Sequence, residues 1–522
     1  MSPNNGSATA VLVALLCVAA LVPAPATGAM NVLAVQTVAG KSHWNVMSAV
    51  LRALTDRGHN VTVFTPFLDG DRDRYTEVHV RDGVLMGAVG MDAMELIRDI
   101  GTTSAVMTVM ANFTRASCET IFQHPRMADT LRNGSGSSAG FDVVVIEPML
   151  SECVSYVATE LRVPLIYVVP SPILTYLERS FFGHVPNPAV VAHVLSSHGV
   201  PKTFTERLTN TLLTVHCSLK KWYAERRQRL SNPQPFDRVD LVKPSLTFTN
   251  THFITEPARP LTQDIVQIGG IHLAQPKGIP KDILEFIEGS PHGVIYFTFG
   301  SVLLMSSLPE NVQNAFKEVF AQLPQRVLWK YEGEMKDKPE NVMTMNWFPQ
   351  RDVLLHPKVK LFISHGGISG VYEAVDAGVP VLGFPFFYDQ PRNLENLVDA
   401  GMAISMDLLT VNKETLLNAV VQLVNEEKYR NNAKLVSERF KDRPMSPAES
   451  VVYWTEYVVR HRGAPHLKSR AIDLMWYEYF LVDVIAAFLL MVFVILFVIY
   501  FSLKKIYLCA LKYFQNVKKK CD

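Results

Sequence analysis

The sequence predicts an α/β protein of two Rossmann-like domains facing across a cleft, followed by one C-terminal transmembrane helix. Three observations carry that prediction. At 522 residues the chain exceeds what one hydrophobic core usually serves, so two domains of roughly 200 residues each are expected. Short β-branched runs alternate with longer amphipathic ones, which is the pattern of parallel sheets flanked by helices. From Val484 to Phe501 every residue is apolar or aromatic, and with Ser502 and Leu503 this run reaches about 30 Å as a helix, the thickness of a bilayer's hydrocarbon core.

Taken in order, Ala8 to Val22 is an apolar stretch too short to cross a membrane, and the small residues Ala24 to Ala29 follow it. That arrangement predicts a signal peptide over residues 1–29, cleaved near Gly28 or Ala29. The first domain, residues 30–250, carries strands at Val32 to Thr37, Val61 to Thr65, Val143 to Ile146 and Leu165 to Val169. A segment around Leu241 to Ile268, with Pro244, Pro257 and Pro260, reads as the interdomain linker. The second domain, residues 251–470, carries strands at Val294 to Thr298, Val327 to Tyr331, Lys360 to Ser364 and Val381 to Phe384.

Residues 484–503 form the expected membrane span and 504–522 its tail. Lys504, Lys505, Lys512, Lys518, Lys519 and Lys520 follow the span, whereas Asp473, Glu478 and Asp483 precede it. The lysine bias puts the tail in the cytosol and both domains on the luminal side, a single-pass type I arrangement. The ending Lys519-Lys520-Cys521-Asp522 resembles the dilysine signal that returns membrane proteins to the endoplasmic reticulum.

Lys plus Arg total 50 and Asp plus Glu 49, with no long like-charged run, so nothing points to a nucleic-acid partner. Cys17 leaves with the signal, and Cys509 and Cys521 lie at or beyond the membrane. The remaining Cys118, Cys153 and Cys217 are too few for a disulfide framework. Sequons start at Asn60, Asn112 and Asn133. The last sits in a Gly- and Ser-rich stretch, Arg132 to Gly140, that reads as flexible and is the expected glycosylation site, while Asn60 abuts an expected core strand and is expected to stay unmodified.

The densest chemistry lies between Phe362 and Asn393. Lys360 to Ser364 is a strand, His365-Gly366-Gly367 a turn, and Ser369 to Ala377 a helix whose first turn presents free N–H groups. Glycines there let a backbone approach a diphosphate, the helix dipole favours its charge, and His365 can donate a further hydrogen bond. The succession His365-Gly366-Gly367, Glu373, Gly378-Val379-Pro380, Pro385 and Asp389-Gln390 resembles the signature of UDP-glycosyltransferases. Thr298-Phe299-Gly300-Ser301, Asn346-Trp347-Phe348-Pro349-Gln350 and Trp476-Tyr477-Glu478-Tyr479 are similar to the same family. Arg460 to Leu474 is most like its insect branch.

The resemblance implies a GT-B fold and a role for each of these residues. Trp347 would stack on uracil, and the Gln350 amide would pair with the base edge. Glu373 would accept hydrogen bonds from ribose hydroxyls. Ser301, His365, Gly367, Ser369 and Gly370 would hold the diphosphate, with Ser369 standing where the family often has Asn. Asp389 and Gln390 would bind hydroxyls of the transferred sugar.

Sugar transfer to an alcohol needs a base for the acceptor proton, and histidine titrates in the right range. His43, in the loop after the first strand and before a helix expected over Val46 to Asp56, falls at the family's Ser-His motif. An orienting carboxylate is needed beside it. Many relatives use Asp; here Phe141-Asp142-Val143-Val144-Val145-Ile146 leads to Glu147, one methylene longer, while Asp142 reads as structural. Asp71-Arg72-Asp73 has the form of a metal–nucleotide site but reads as a solvated loop. Met91 to Phe122 and Leu174 to Val200, with Met94, Met107, Met110, Phe113, Phe181 and Phe182, are the candidate acceptor surfaces.

The expected activity is inverting transfer of a hexose from a UDP-sugar to a small lipophilic acceptor, as in conjugation or detoxification, without a metal or other cofactor. The insect-like features imply UDP-glucose as donor, with UDP-glucuronate as the alternative. A non-catalytic nucleotide-sugar-binding scaffold is the rival reading, and the resemblance leaves homo- or hetero-dimers open.

Overall fold

A computed structural model describes residues 28–80, 92, 95, 103–134, 140–149, 151–301 and 303–521. The expected signal peptide up to residue 27, Met94 and Ser135 of the third sequon lie outside the described residues.

The first sheet has seven parallel strands: β1 (Asn31–Val35), β2 (Asn60–Thr65), β3 (Tyr75–His79), β4 (Val143–Ile146), β5 (Leu165–Val169), β6 (Leu246–Thr249) and β7 (Ile265–Gln267). Their spatial order is β3-β2-β1-β4-β5-β6-β7. The second sheet has six: β8 (Val294–Thr298), β9 (Arg326–Lys330), β10 (Val342–Met345), β11 (Val359–Ser364), β12 (Val381–Gly383) and β13 (Ala403–Ser405), in the order β10-β9-β8-β11-β12-β13. Both are covered on two faces, which is why the strands read as unbroken apolar runs. Leu33 and Val35 pack into one core, and Val32 and Ala34 into the opposite one. In the second sheet Ile295 and Phe297 face one way, Val294 and Tyr296 the other.

The helices that matter here are α1 (Lys41–Asp56), α2 (Thr103–Gln123), α3 (Phe204–Ser231), α4 (Ile368–Ala377), α5 (Gln390–Asp399), α6 (Pro447–Arg460) and α7 (Val482–Cys521). Strand order reverses between β1 and β4 and again between β8 and β11. Loops leaving such reversals diverge and open a crevice at the carboxyl ends of the strands.

Three features depart from the sequence reading. The stretch 241–268, expected as a linker, supplies β6 and β7 and completes the first sheet. Its prolines at 244, 257 and 260 flank the strands and leave the ladder intact. Helix α6 returns from the second domain to the first, where Val451 and Val458 enter the core beneath α1 and Glu456 meets His59 at 3.3 Å. A disulfide joins Cys118 on α2 to Cys153, while Cys217 is buried and free. Pairing depends on the fold bringing two residues together, so spacing along the chain did not disclose this single bridge.

Helix α7 runs for 40 residues without a break at Lys504, so the expected span and tail are one helix. An 18-residue window within Val482–Val517 has a mean hydropathy of 3.2, and none of that window is buried against the described chain.

Candidate active site

Strand register assembles the first half of the site. Val35 pairs with Ile146, so the residues that follow, Gln36 and Glu147, emerge side by side. Gly40 caps α1 in an extended conformation, and the helix starts at Lys41, five residues earlier than the sequence reading placed it. His43 therefore sits on the first helical turn and not in a loop, which fixes its backbone. Its Nδ1 lies 2.5 Å from Glu147 Oε1, and the other Glu147 oxygen accepts a hydrogen bond from Gln36 Nε2. Glu147 is buried, while His43 keeps 24% of its side chain exposed. The longer carboxylate thus reaches the imidazole. Asp142 takes up the Asn31 N–H at 2.7 Å, at the base of the sheet and away from His43.

Burial of His43 works against its protonation, but the charge and hydrogen bond of Glu147, with a contribution from Asp389, outweigh it and raise the pKa above 6.5. Asp389 belongs to the second domain, at the start of α5. Burial raises its own pKa, opposed by a 2.8 Å hydrogen bond from Asn393 and by the charge of His43. The two domains therefore meet electrostatically at one point of the cleft.

The second half of the site follows from the pairing of Thr298 with Ser364, which sets Gly300-Ser301 beside His365. The His365 ring is wedged between two glycines. A Cβ on Gly300, which has φ +80°, would lie 2.8 Å from His365 Cε1, and one on Gly367 would lie 2.5 Å from Nε2. Burial, helped by Lys330, pushes the His365 pKa down to about 4, so the ring is neutral. His365 Nδ1 and Ser369 Oγ are both buried without a protein partner. Leaving such atoms unpaired costs about 1–3 kcal/mol each. They sit at the start of the 10-residue helix α4, whose cap, Gly367, contributes no side chain, so the first N–H groups are unclaimed as well. This is a cradle for an anion.

Further along, Gln350 Nε2 donates to Glu373, and Tyr296 Oη donates to Gln350 Oε1 at 3.3 Å. Burial lifts the Glu373 pKa to about 7 despite the Gln350 hydrogen bond. A Gly370 Cβ would meet Gln350 Nε2 at 3.4 Å. Trp347 is 62% exposed beside the buried Phe348, so its indole is an open platform on a rigid base. Gln390 is buried and its Oε1 accepts the Phe386 N–H at 2.9 Å. That oxygen shapes the loop.

An apolar cavity in the first domain, next to Pro148 and Met149, is lined by Met107, Met110, Leu174 and Tyr176 among others and is met by Tyr388 of the second domain. Of the residues expected at an acceptor surface, Met107 and Met110 line this cavity. Phe181 and Phe182 do not; they pack edge to face in the core. Tyr388 escaped sequence reasoning, although it holds a left-handed φ of 61° next to Asp389. Asp71 accepts the Glu77 N–H at 2.7 Å, and Arg72 lies over the Tyr75 ring, which makes that stretch a braced surface loop.

A family model described as "UDP-glucoronosyl and UDP-glucosyl transferase" matches residues 31–521. The chain is 38% identical over 476 residues to UDP-glucosyltransferase 2 of Dactylopius coccus, covering 89% of this chain and 90% of that one. It is 32% identical over 513 residues to UDP-glucuronosyltransferase 2A3 of Mus musculus, covering 92% and 94%. Among solved structures, the glycosyltransferase VinC in complex with DTDP superposes with a TM-score of 0.54 at 17% identity, covering 83% of this chain and 100% of that one, which speaks to the fold. With the family model matching nearly the whole chain, and two Rossmann-like sheets meeting at one cleft, this chain belongs to the UDP-glucuronosyl and UDP-glucosyl transferase family and is a glycosyltransferase of GT-B fold.

Proposed function

We propose that the enzyme transfers glucose from UDP-glucose, with inversion, to a hydroxyl of small lipophilic acceptors. The observation that carries the reading is the His43–Glu147 pair facing Asp389, with the unpartnered His365 Nδ1 and Ser369 Oγ across the same cleft. In the proposed step, His43 Nε2 takes the acceptor proton while the acceptor oxygen attacks the anomeric carbon. The bond from that carbon to the diphosphate oxygen breaks, and UDP departs with the electron pair. Attack opposite the leaving group turns an α-linked donor into a β-glycoside. Glu147 holds the imidazole and balances the imidazolium.

The diphosphate would rest on His365, Ser369, Gly370, Ser301 and the Gly367 end of α4, with the ribose at Glu373, uracil on Trp347 and Gln350, and the sugar at Asp389 and Gln390. Charge on the leaving group is met by N–H groups and the helix dipole, so the reading invokes neither metal nor cofactor. The apolar cavity supports a lipophilic acceptor. The insect relative's name supports glucose, and the mouse relative's name makes UDP-glucuronate the alternative donor.

Helix α7 is proposed as a single-pass anchor. The signal-peptide pattern and the lysine tail support placement in the endoplasmic reticulum with both domains luminal, glycosylation at Asn133, and a role in conjugation; association into dimers stays within the proposal. The test is transfer of radiolabelled sugar from UDP-glucose, and separately UDP-glucuronate, to simple phenols in microsomes carrying the wild type or His43→Ala. Glucosylation abolished in His43→Ala supports the reading. Preferred use of UDP-glucuronate replaces the donor assignment, and UDP binding without transfer from either donor replaces the enzyme with a scaffold.

A further inference from the structure

Helix α3 is amphipathic in the wrong sense for a water-soluble surface. Asn210 and Cys217 are its buried residues, and Lys221, Glu225 and Gln228 on the same side line the apolar cavity beside Pro148 and Met149. On the other side Phe204, Leu208, Leu212, Val215, Leu219 and Trp222 are all exposed, Leu212 and Leu219 each by 60%. Their steps of four, four, three, four and three residues keep them within a stripe about 100° wide, diametrically opposite Asn210 and Cys217. Monomeric soluble proteins rarely leave so long an apolar stripe uncovered. No described part of the chain covers it.

The chain's own route to α7 says what does. Tyr479, three residues before α7, accepts the Val185 N–H at 3.0 Å on its hydroxyl. Arg179 donates to the carbonyls of Ala471 and Leu474 at 2.6 Å, so the residues around 179–185 hold the segment that enters α7. Asn210 of α3 in turn donates to the carbonyls of Pro188 and Val191 at 2.6 Å. Pro188 follows Val185 by three steps along the chain, a reach of about 11 Å at most, so α3 is held close to the start of α7. Its composition suits a headgroup boundary too. Lys220, Arg226, Arg227 and Arg229 are exposed, and the Arg226 guanidinium lies 5.8 Å from the Trp222 ring. Basic residues beside Trp and Leu are what an interfacial helix presents to anionic lipid.

We infer that the outer stripe of α3 rests in the surface of the bilayer that α7 enters, so that one helix separates the acceptor cavity from lipid and lipophilic acceptors arrive from the membrane. This rests on the proposed anchoring by α7 and on the proposed acceptor class.

The full-length chain, reconstituted in phosphatidylcholine–phosphatidylserine vesicles, is irradiated with a carbene-generating reagent confined to the lipid phase and mapped by mass spectrometry. Label in residues 204–231 as well as 482–517 is expected. Label in 482–517 alone overturns the inference while the anchor stands, and label in neither overturns both. A cross-link between two copies through Leu219→Cys, with residues 204–231 unlabelled, assigns the stripe to a second copy and also overturns it. In the double variant Leu212→Glu, Leu219→Glu the α3 label is expected to disappear. KM for an acceptor supplied in vesicles should then rise several-fold while KM for a water-soluble phenol and for the donor stays put. Equal changes in KM for both acceptors would overturn delivery from lipid.

Discussion

At His43 the position of one proton decides the chemistry. The base must be neutral to act, and Glu147 and Asp389 both favour the charged form. The rising limb of kcat/KM against pH is therefore expected above the ordinary histidine value of 6.5. Glu147→Gln keeps a hydrogen-bonding oxygen but removes the charge, so it should move that limb to lower pH and reduce kcat by about 10²–10⁴; a limb that stays in place would exclude Glu147 as the partner. Glu373 has the opposite relation to its surroundings. Burial holds its folded pKa at about 7, above the 4.5 of an ordinary glutamate. Its protonation therefore supports the fold fully below pH 4.5, and that support is lost as pH rises through 7. Glu373→Gln is expected to flatten the fall in Tm across this window, raising the ligand-free Tm at pH 8 by a few degrees, while weakening UDP binding. A variant as pH-sensitive as the wild type would assign the titration to another group.

The elements around His365 leave no room for a methyl group. Gly300→Ala and Gly367→Ala place a Cβ 2.8 Å and 2.5 Å from the ring, and Gly300 also holds a left-handed φ. Each is expected to displace His365 and cut UDP affinity at least about tenfold, measurable by calorimetric titration; unchanged affinity would remove His365 from the diphosphate site. The Cys118–Cys153 bridge closes a loop of 35 residues between α2 and the turn after β4, so Cys118→Ala with Cys153→Ala should cost about 2–4 kcal/mol, read from denaturant midpoints of the oxidised protein. Strands such as Val143–Ile146 and Leu165–Val169 were legible because burial on both faces leaves a continuous apolar run. Those at 246–249 and 265–267 were hidden by neighbouring prolines, and β3, β10 and β13 by partial exposure or brevity. For α3, periodicity reveals two faces, but nothing along the chain says that the more apolar one looks outward. His43 and Glu147 stood out as chemistry after two strands, yet their contact depends on a register that only the fold supplies.

Over the whole molecule, the domains are joined by buried charges that no motif announced. Arg392, 2% exposed on α5 of the second domain, donates to Glu256 in the β6–β7 connection of the first, where Arg259 makes a bidentate pair with Glu178 at 2.9 and 2.8 Å. Burial raises the Glu178 pKa, with Arg259 and then Arg392 opposing it, so the four charges behave as one cluster. Arg392→Met would leave Glu256 buried without its partner and is expected to cost about 3–5 kcal/mol. Because α5 also begins at Asp389, kcat should fall with donor KM little changed; an unaltered kcat would show that the cluster holds the domains without setting their alignment. Helix α6 adds a different kind of tie. Since Val451 and Val458 are built into the first domain's core, a hybrid enzyme that takes acceptor preference from one relative and donor preference from another must inherit three stretches. Residues 30–267 and 447–474 have to come from a single parent, and a simple crossover at residue 250 would divide a sheet and mismatch a core.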